Sequence, residues 1–322
     1  MKTARWQQTL ATLAALGLIL GLAASQAHAW GSATHCYIDD RLNRTESGQK
    51  NLGEMYGGMA PDLFNYLFAP YQPFLYGQTH NAFLQVWEVA GPGQGSLQRG
   101  YAYGFVSHND LWGADVTAHH NGLTFGQGQG YVIAKAQALK PYLVATLASI
   151  GLSLPDAVAL ELSHNFVEFG VDVLVKNLDR QLGAKMAAAA LKRHPTFPTL
   201  LVKAYGTEVA AALGVSSQEA ARTIFAAEQA FRQMKIYEGQ ALMQEEAVTV
   251  ALLAEELANF AQAYFAGFGI NLPPGISREH LVLLAENYIS LVMSMCQDDF
   301  AQELQATIVY VNHQLEVRGI SY

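Results

Sequence analysis

Cysteine is nearly absent: Cys36 and Cys296 are the only two in 322 residues. They stand 260 positions apart, and neither belongs to a C-x-x-C pair, so no disulfide framework and no thiolate zinc site is indicated. Whether they pair or stay as buried thiols is open from the sequence, since an exported chain permits either state. Charge is sparse as well, at 14% of residues, and cations are the scarcer sign, 19 Lys and Arg against 27 Asp and Glu. A net charge of −8 without basic runs argues against tight binding to nucleic-acid phosphates, so no nucleic-acid partner is expected. Alternating strand patterns are scarce, and there is no fixed-period repeat or low-complexity tract. After residue 30 no uninterrupted apolar run approaches the roughly 20 residues of a membrane span.

What is present begins with a leader. Lys2 and Arg5 precede an apolar run from Leu10 to Ala24, and Ala27-His28-Ala29 supplies a small-x-small cleavage pattern. Residues 1–29 therefore read as a signal peptide, and the expected address is the periplasm or the medium. The apolar run, about 15 residues, is too short for a membrane anchor. Cleavage after Ala29 removes both basic residues, moves the net charge to −10, and makes Trp30 the mature N-terminus.

Helical periodicity dominates the rest, so an all-α fold is expected. Helices are expected near 33–47, 80–90, 97–121, 131–150, 155–178, 181–193, 217–242, 245–267, 277–297 and 299–317. Ser216 with Glu219 forms a capping box, and Ser277 with His280 after Pro274 reads as another helix start. Residues 30–180 read as the region that carries chemistry. Residues 181–322, rich in Ala, Leu and Glu, read as a helical scaffold or cover on the same domain.

The histidines support that division. His35, His80, His108, His119, His120 and His164 all fall between 30 and 168, and only His194, His280 and His313 lie beyond. On a continuous α-helix His108, Asp115 and His119 fall within roughly 40° of one another, while Asp110 and His120 lie off that line. His164 and Glu168 stand four residues apart and can close on one ion. Asp62 and His80 lie upstream, and a free amine at Trp30 would stand near His35. Nitrogen and oxygen donors of this kind suit zinc. Taken singly, each has an ordinary reading: His108 as a core histidine, Asp62 as a helix cap after Pro61, Glu168 as a surface charge. Their concentration in one half of an exported chain favours a metal cluster. Glu161-x-x-His164 also invites a di-iron bundle, but no second Glu-x-x-His exists in the chain.

These residues, in this order, resemble the bacterial zinc-dependent phospholipase C family of phosphatidylcholine-preferring type, which shares its fold with single-strand-specific zinc nucleases. The resemblance covers roughly residues 30–170 at the level of motifs. It implies a multi-helix phospholipase C-like domain holding three zinc ions. Carried over, Asp62, His80, His108 and Asp115 hold one ion. The Trp30 amine and carbonyl, His35 and a bridging Asp115 hold a second; His119, His164 and Glu168 hold the third. The implied activity is hydrolysis of a glycerophospholipid phosphodiester at a membrane surface, with Asp62 as candidate general base. The alternatives are a zinc nuclease of the same fold and a non-catalytic metal-binding protein.

One departure from the family stands out. The family spaces its central pair as His-x-x-x-Asp, whereas Asp115 is seven residues from His108, a rise of about 10 Å on a straight helix. Either Gly113 marks a break that shortens the distance, or Asp110 or His120 replaces one of the named ligands. The stretch from Tyr56 to Tyr76 adds seven aromatics (Tyr56, Phe64, Tyr66, Phe68, Tyr71, Phe74 and Tyr76), which could face lipid, stack on a quaternary ammonium, or simply fill the core.

Overall fold

Apolar residues at helical spacing become helices along the whole of the described chain. The structure, a computed structural model, describes residues 30–42, 49–66, 72–92, 97–125, 128–267 and 269–322. The expected signal peptide, residues 1–29, lies outside them. The first half contains α1 (Ser32–Asp39), α2 (Gln49–Met59), a 3-10 helix (Ala60–Tyr66), α3 (Gln72–Asn81), α4 (Leu84–Ala90), α5 (Leu97–His108) and α6 (Ala114–His119). There follow α7 (Tyr131–Ser149), α8 (Asp156–Leu178), α9 (Leu182–Leu191) and α10 (Phe197–Leu213). The last four are α11 (Ser217–Leu242), α12 (Glu246–Gly267), α13 (Arg278–Cys296) and α14 (Phe300–Val317). Among the described residues there is no strand, and no helix is long and apolar enough to cross a membrane.

From α7 onward the expected helices have their counterparts, and the caps form. Ser216 accepts the Glu219 amide at 3.2 Å, and the Ser277 amide donates to His280 Nδ1 at 3.1 Å. The departures cluster earlier. The helix expected over 80–90 is instead the end of α3 and, after two residues, α4. α1 stops at Asp39, and residues 43–47 of the helix expected there lie outside the described ones. Neither α2, α3 nor α10 was legible: α3 (QPFLYGQTHN) mixes Gly, Pro and polar residues, and α10 is apolar around much of its circumference, which blurs the periodic stripe.

The helix expected over 97–121 is two helices, and the break decides where the site forms. Asn109 Oδ1 accepts the amides of Leu111, Trp112 and Gly113 at 2.9, 2.8 and 3.2 Å, a side-chain turn that competes with continued helix. A Cβ at Gly113 would stand 2.5 Å from the Ser107 carbonyl oxygen, so the chain can fold back this tightly only without a side chain there. The expectation of one straight face carrying His108, Asp115 and His119 is therefore corrected: His108 ends α5, and Asp115 and His119 belong to α6.

One apolar core runs through both halves of the chain. Tyr101 of α5 stacks on Phe197 of α10 with ring centres 4.2 Å apart, and Tyr56 of α2 lies against the same ring. Burying aromatics of this size contributes roughly 2–3 kcal/mol each. The Tyr56 hydroxyl donates to Glu228 of α11 at 2.8 Å, and Arg193 closes on the same carboxylate through Nε and Nη2 at 2.6 and 2.7 Å. Cys36 and Cys296 are both buried free thiols, which settles the pairing left open by the sequence.

α8 is buried on most of its surface yet carries one polar stripe. Glu161, His164, Glu168 and Asp172 are all buried, and at 100° per residue they fall within about 80° of one another. A charged stripe on an otherwise buried helix needs partners. Asp172 finds them at the start of α1, accepting the Ala33 amide at 3.0 Å and the Thr34 amide and hydroxyl at 2.8 and 2.7 Å. A Cβ at Gly31 would sit 2.5 Å from Asp172 Oδ2, so glycine admits the carboxylate. This docks α1, and with it His35, against α8.

Candidate metal centre

Eight of the nine residues anticipated as ligands present their side chains in two adjoining groups. His35, Asp62, His80, His108 and Asp115 form the first; His119, His164 and Glu168 form the second. Within each set of three that could share an ion, the donor atoms lie within 4.8 Å of one another. They come from α1, the 3-10 helix, α3, α5, α6 and α8.

Asp115 is the pivot of the first group. Its Oδ1 lies 3.1 Å from His35 Nε2, and its Oδ2 lies 2.9 Å from His108 Nε2 and 3.5 Å from His80 Nε2. The two oxygens thus face two different sets of imidazoles. Asp62 approaches from the 3-10 helix, 3.5 Å from His80 Nε2 and 3.9 Å from His108 Nε2. In the second group His119 Nε2 lies 3.3 Å from His164 Nε2, which is 3.4 Å from Glu168 Oε1.

The other ring nitrogens fix the tautomers. His108 Nδ1 donates to the Gly58 carbonyl at 2.7 Å, and His80 Nδ1 donates to the Tyr76 carbonyl at 3.0 Å. A carbonyl can only accept, so both protons sit on Nδ1 and both Nε2 atoms present lone pairs to the site. His119 Nδ1 donates to Asp110 Oδ1 at 3.0 Å with the same result. Yet His80 and His108 bring Nε2 to Nε2 at 3.2 Å. Two lone pairs facing each other at this distance repel unless a proton or a cation stands with them. Backing hydrogen bonds that aim Nε2 lone pairs inward are what metal-binding imidazoles use.

Electrostatics favour the metal over the proton. Burial, followed by the neighbouring His108, pushes His35 well below its ordinary value, and burial likewise lowers His108 and His119. Burial raises the Glu168 carboxyl well above the usual range, with Asp62, Glu161, Asp172 and Asp115 adding to the effect. Among the described residues, His35 Nδ1 and Glu168 Oε1 are buried without a hydrogen bond. Neutral imidazoles and orphaned carboxylate oxygen are donors that a divalent cation completes, and this cluster of residues can hold one.

The remaining anticipated residues are placed as follows. Trp30 is buried, donates its indole Nε1–H to Thr117 at 3.0 Å, and stacks on Tyr131. It can offer an amine only after cleavage behind Ala29. Asp110 stands behind His119 rather than between imidazole Nε2 atoms, with His120 at 3.6 Å on its solvent side. Asp110, His119 and His120 also form a group of three possible donors, but His120 is exposed.

Of the aromatic segment, Tyr56, Phe64 and Tyr76 are buried and Phe74 is partly buried against the core. Tyr56 and Phe64 are fully buried, and Tyr76 stacks on the His80 ring with centres 3.7 Å apart. Phe68 and Tyr71 lie outside the described residues.

A cavity of about 830 Å³ opens on the cluster, lined by Trp30, Asp62 and Glu168 and by side chains of α11 and α12. Sequence reasoning assigned those two helices to the scaffold and missed their part in this wall; buried charges at Lys235 and Glu238 on α11 were the available signal. It also missed Asp172, although the i, i+4, i+8 series His164, Glu168, Asp172 was there to be read. No family model matches the chain, and neither a curated protein nor a solved structure does.

Proposed function

We propose that this chain is an exported zinc-dependent phosphodiesterase of phospholipase C type, cleaving glycerophospholipids such as phosphatidylcholine to diacylglycerol and a phosphorylated head group. The observation that carries the reading is the convergence of Nε2 lone pairs, His80 on His108 and His119 on His164, around shared carboxylates. In this reading three zinc ions would be held, one by Asp62, His80, His108 and Asp115, one by His35, Asp115 and the Trp30 terminus, and one by His119, His164 and Glu168. Clustered zinc, when bound, lowers the pKa of water and offsets charge developing on a phosphoryl group.

The chain's own residues divide the remaining work. Asp115, fully buried, offers one oxygen to each side of the first group. Asp62 retains 13% side-chain exposure and lines the cavity, as Glu168 also does, and in this reading its carboxylate is the general base beside the substrate. The aromatic and aliphatic wall contributed by α12 accounts for how a chain of net negative charge takes a lipid diester: attraction rests on the metal centre and on apolar contact, not on a basic surface.

The test incubates the exported protein with phosphatidylcholine vesicles and with single-stranded DNA, each with and without chelator, after metal content is measured. Zinc near three per chain and chelator-sensitive release of diacylglycerol are expected. Cleavage of DNA alone would make the chain a nuclease. Metal without hydrolysis of either would leave a metal-binding protein.

A further inference from the structure

The solvent side of the His119 ring carries donors that neither buried group uses. Asp110 Oδ1 lies 3.0 Å from His119 Nδ1 and 3.6 Å from His120 Nε2. Asp110, His119 and His120 each bring one donor atom within 4.8 Å of the other two. Ligands of one zinc ion at tetrahedral angles stand roughly 3.4 Å apart, given bonds of about 2.0–2.2 Å. The two measured separations bracket that span, so an ion fits here with little movement of the side chains.

The fold builds this arrangement from three directions. The Asn109 turn sets Asp110 beside α6, whose last residue is His119 and whose C-cap is His120. Consecutive helical residues point about 100° apart. Here the two rings close on the carboxylate from two sides, at 80° to each other with centres 5.9 Å apart. The Tyr76 hydroxyl donates to Asp110 Oδ2 at 3.4 Å, which turns Oδ1 toward the imidazoles. Exposure separates this trio from the buried groups. The His120 side chain is 55% exposed, Asp110 13% and His119 1%, so water reaches one side only.

We propose that Asp110 Oδ1, His119 Nδ1 and His120 Nε2 form an outer site for a divalent cation of zinc type, separate from the buried cluster. Two imidazoles and one carboxylate suit zinc and its transition-metal neighbours; magnesium and calcium take oxygen ligands. On binding, His119 Nδ1 releases its proton to solvent. The electron pair left on the nitrogen goes to the ion, in place of the hydrogen bond to Asp110. His119 Nε2 still faces His164, so one ring connects the outer ion with the second buried group. Water completes the coordination on the exposed side, which makes the outer ion the exchangeable one. The site stands apart from the phosphodiesterase reading and holds whether or not the chain cleaves a diester.

The experiment uses the exported protein, loaded with zinc and dialysed against metal-free buffer at about pH 7.5, where imidazoles are mostly neutral. Equilibrium dialysis with added zinc is expected to show one further ion per chain above the retained complement, removed again by a second dialysis. His120→Ala is expected to lose that ion and keep the retained complement. No further ion, or a further ion undiminished in His120→Ala, overturns the assignment, and so does magnesium or calcium binding as well as zinc. Ethoxycarbonylation of the unmutated protein, read by peptide mass, gives a measure independent of any variant. Added zinc is expected to protect His120 and not the exposed His313. Equal reaction of His120 with and without zinc overturns the site. If the dialysed protein retains no metal, the buried-cluster reading fails by itself, and protection of His120 still decides the outer site.

Discussion

His108 Nε2 lies 2.9 Å from Asp115 Oδ2, although seven residues separate them in the chain. A straight helix would set their backbones about 10 Å apart. The turn organised by Asn109 and closed at Gly113 removes that distance, and it leaves the second Asp115 oxygen facing His35.

Asp115→Asn keeps the shape and removes the charge that offsets two cations. At least one metal should be lost per chain, and hydrolysis should fall by at least about 100-fold. Asp110→Asn acts on the cluster through the His119 ring it orients, so metal affinity should fall about 10- to 100-fold. Metal analysis and lipid turnover on the two variants check the order; a milder Asp115 effect would move the bridging role to Asp110.

Gly113→Ala places a methyl group against the Ser107 carbonyl. The turn must open, at a cost of roughly 1–3 kcal/mol. Because α6 carries both Asp115 and His119, metal content should fall together with thermal stability. Full metal occupancy at a lowered melting temperature would show that the turn does not position the ligands.

Much of this was legible in the sequence, and the exceptions have physical causes. The long helices of the second half announce themselves through periodicity and caps such as Ser216. The clustering was legible because the His residues and several carboxylates concentrate in one half of a cysteine-poor chain. The break was legible only as one alternative, at Gly113, because Val106, Ala114 and Ala118 continue a helical pattern across it and the side-chain turn of Asn109 overrides them. α10 was invisible for the opposite reason, since a helix apolar on most sides has no stripe to read. The cavity wall of α11 and α12 depends on which helices meet, which no local pattern encodes.

Asp172→Ala removes three hydrogen bonds to the first turn of α1. A lost helix cap costs about 0.5–2 kcal/mol. His35 sits one residue beyond Thr34, so the loss should extend to metal on the Asp115 Oδ1 side while His119, His164 and Glu168 keep theirs. Loss of all metal in equal measure would mean that Asp172 supports the fold and not His35 in particular.

The cluster should release metal in acid, and the sign follows from the buried imidazoles. His35, His108 and His119 are lowered chiefly by burial, so the folded chain binds fewer protons than the unfolded one just below pH 6.5. Stability without metal is therefore undiminished by these groups above about pH 6.5 and falls as pH drops below it. His120, half-exposed and raised by its hydrogen bond to Asp110, titrates in the opposite sense, and solvation keeps its contribution small. Metal competes for the same lone pairs, so bound metal and melting temperature should decline together between about pH 6.5 and pH 5. The check is metal per chain and melting temperature across that range, with and without added zinc. Metal retained in full at about pH 5 would mean that the imidazoles are not the principal donors.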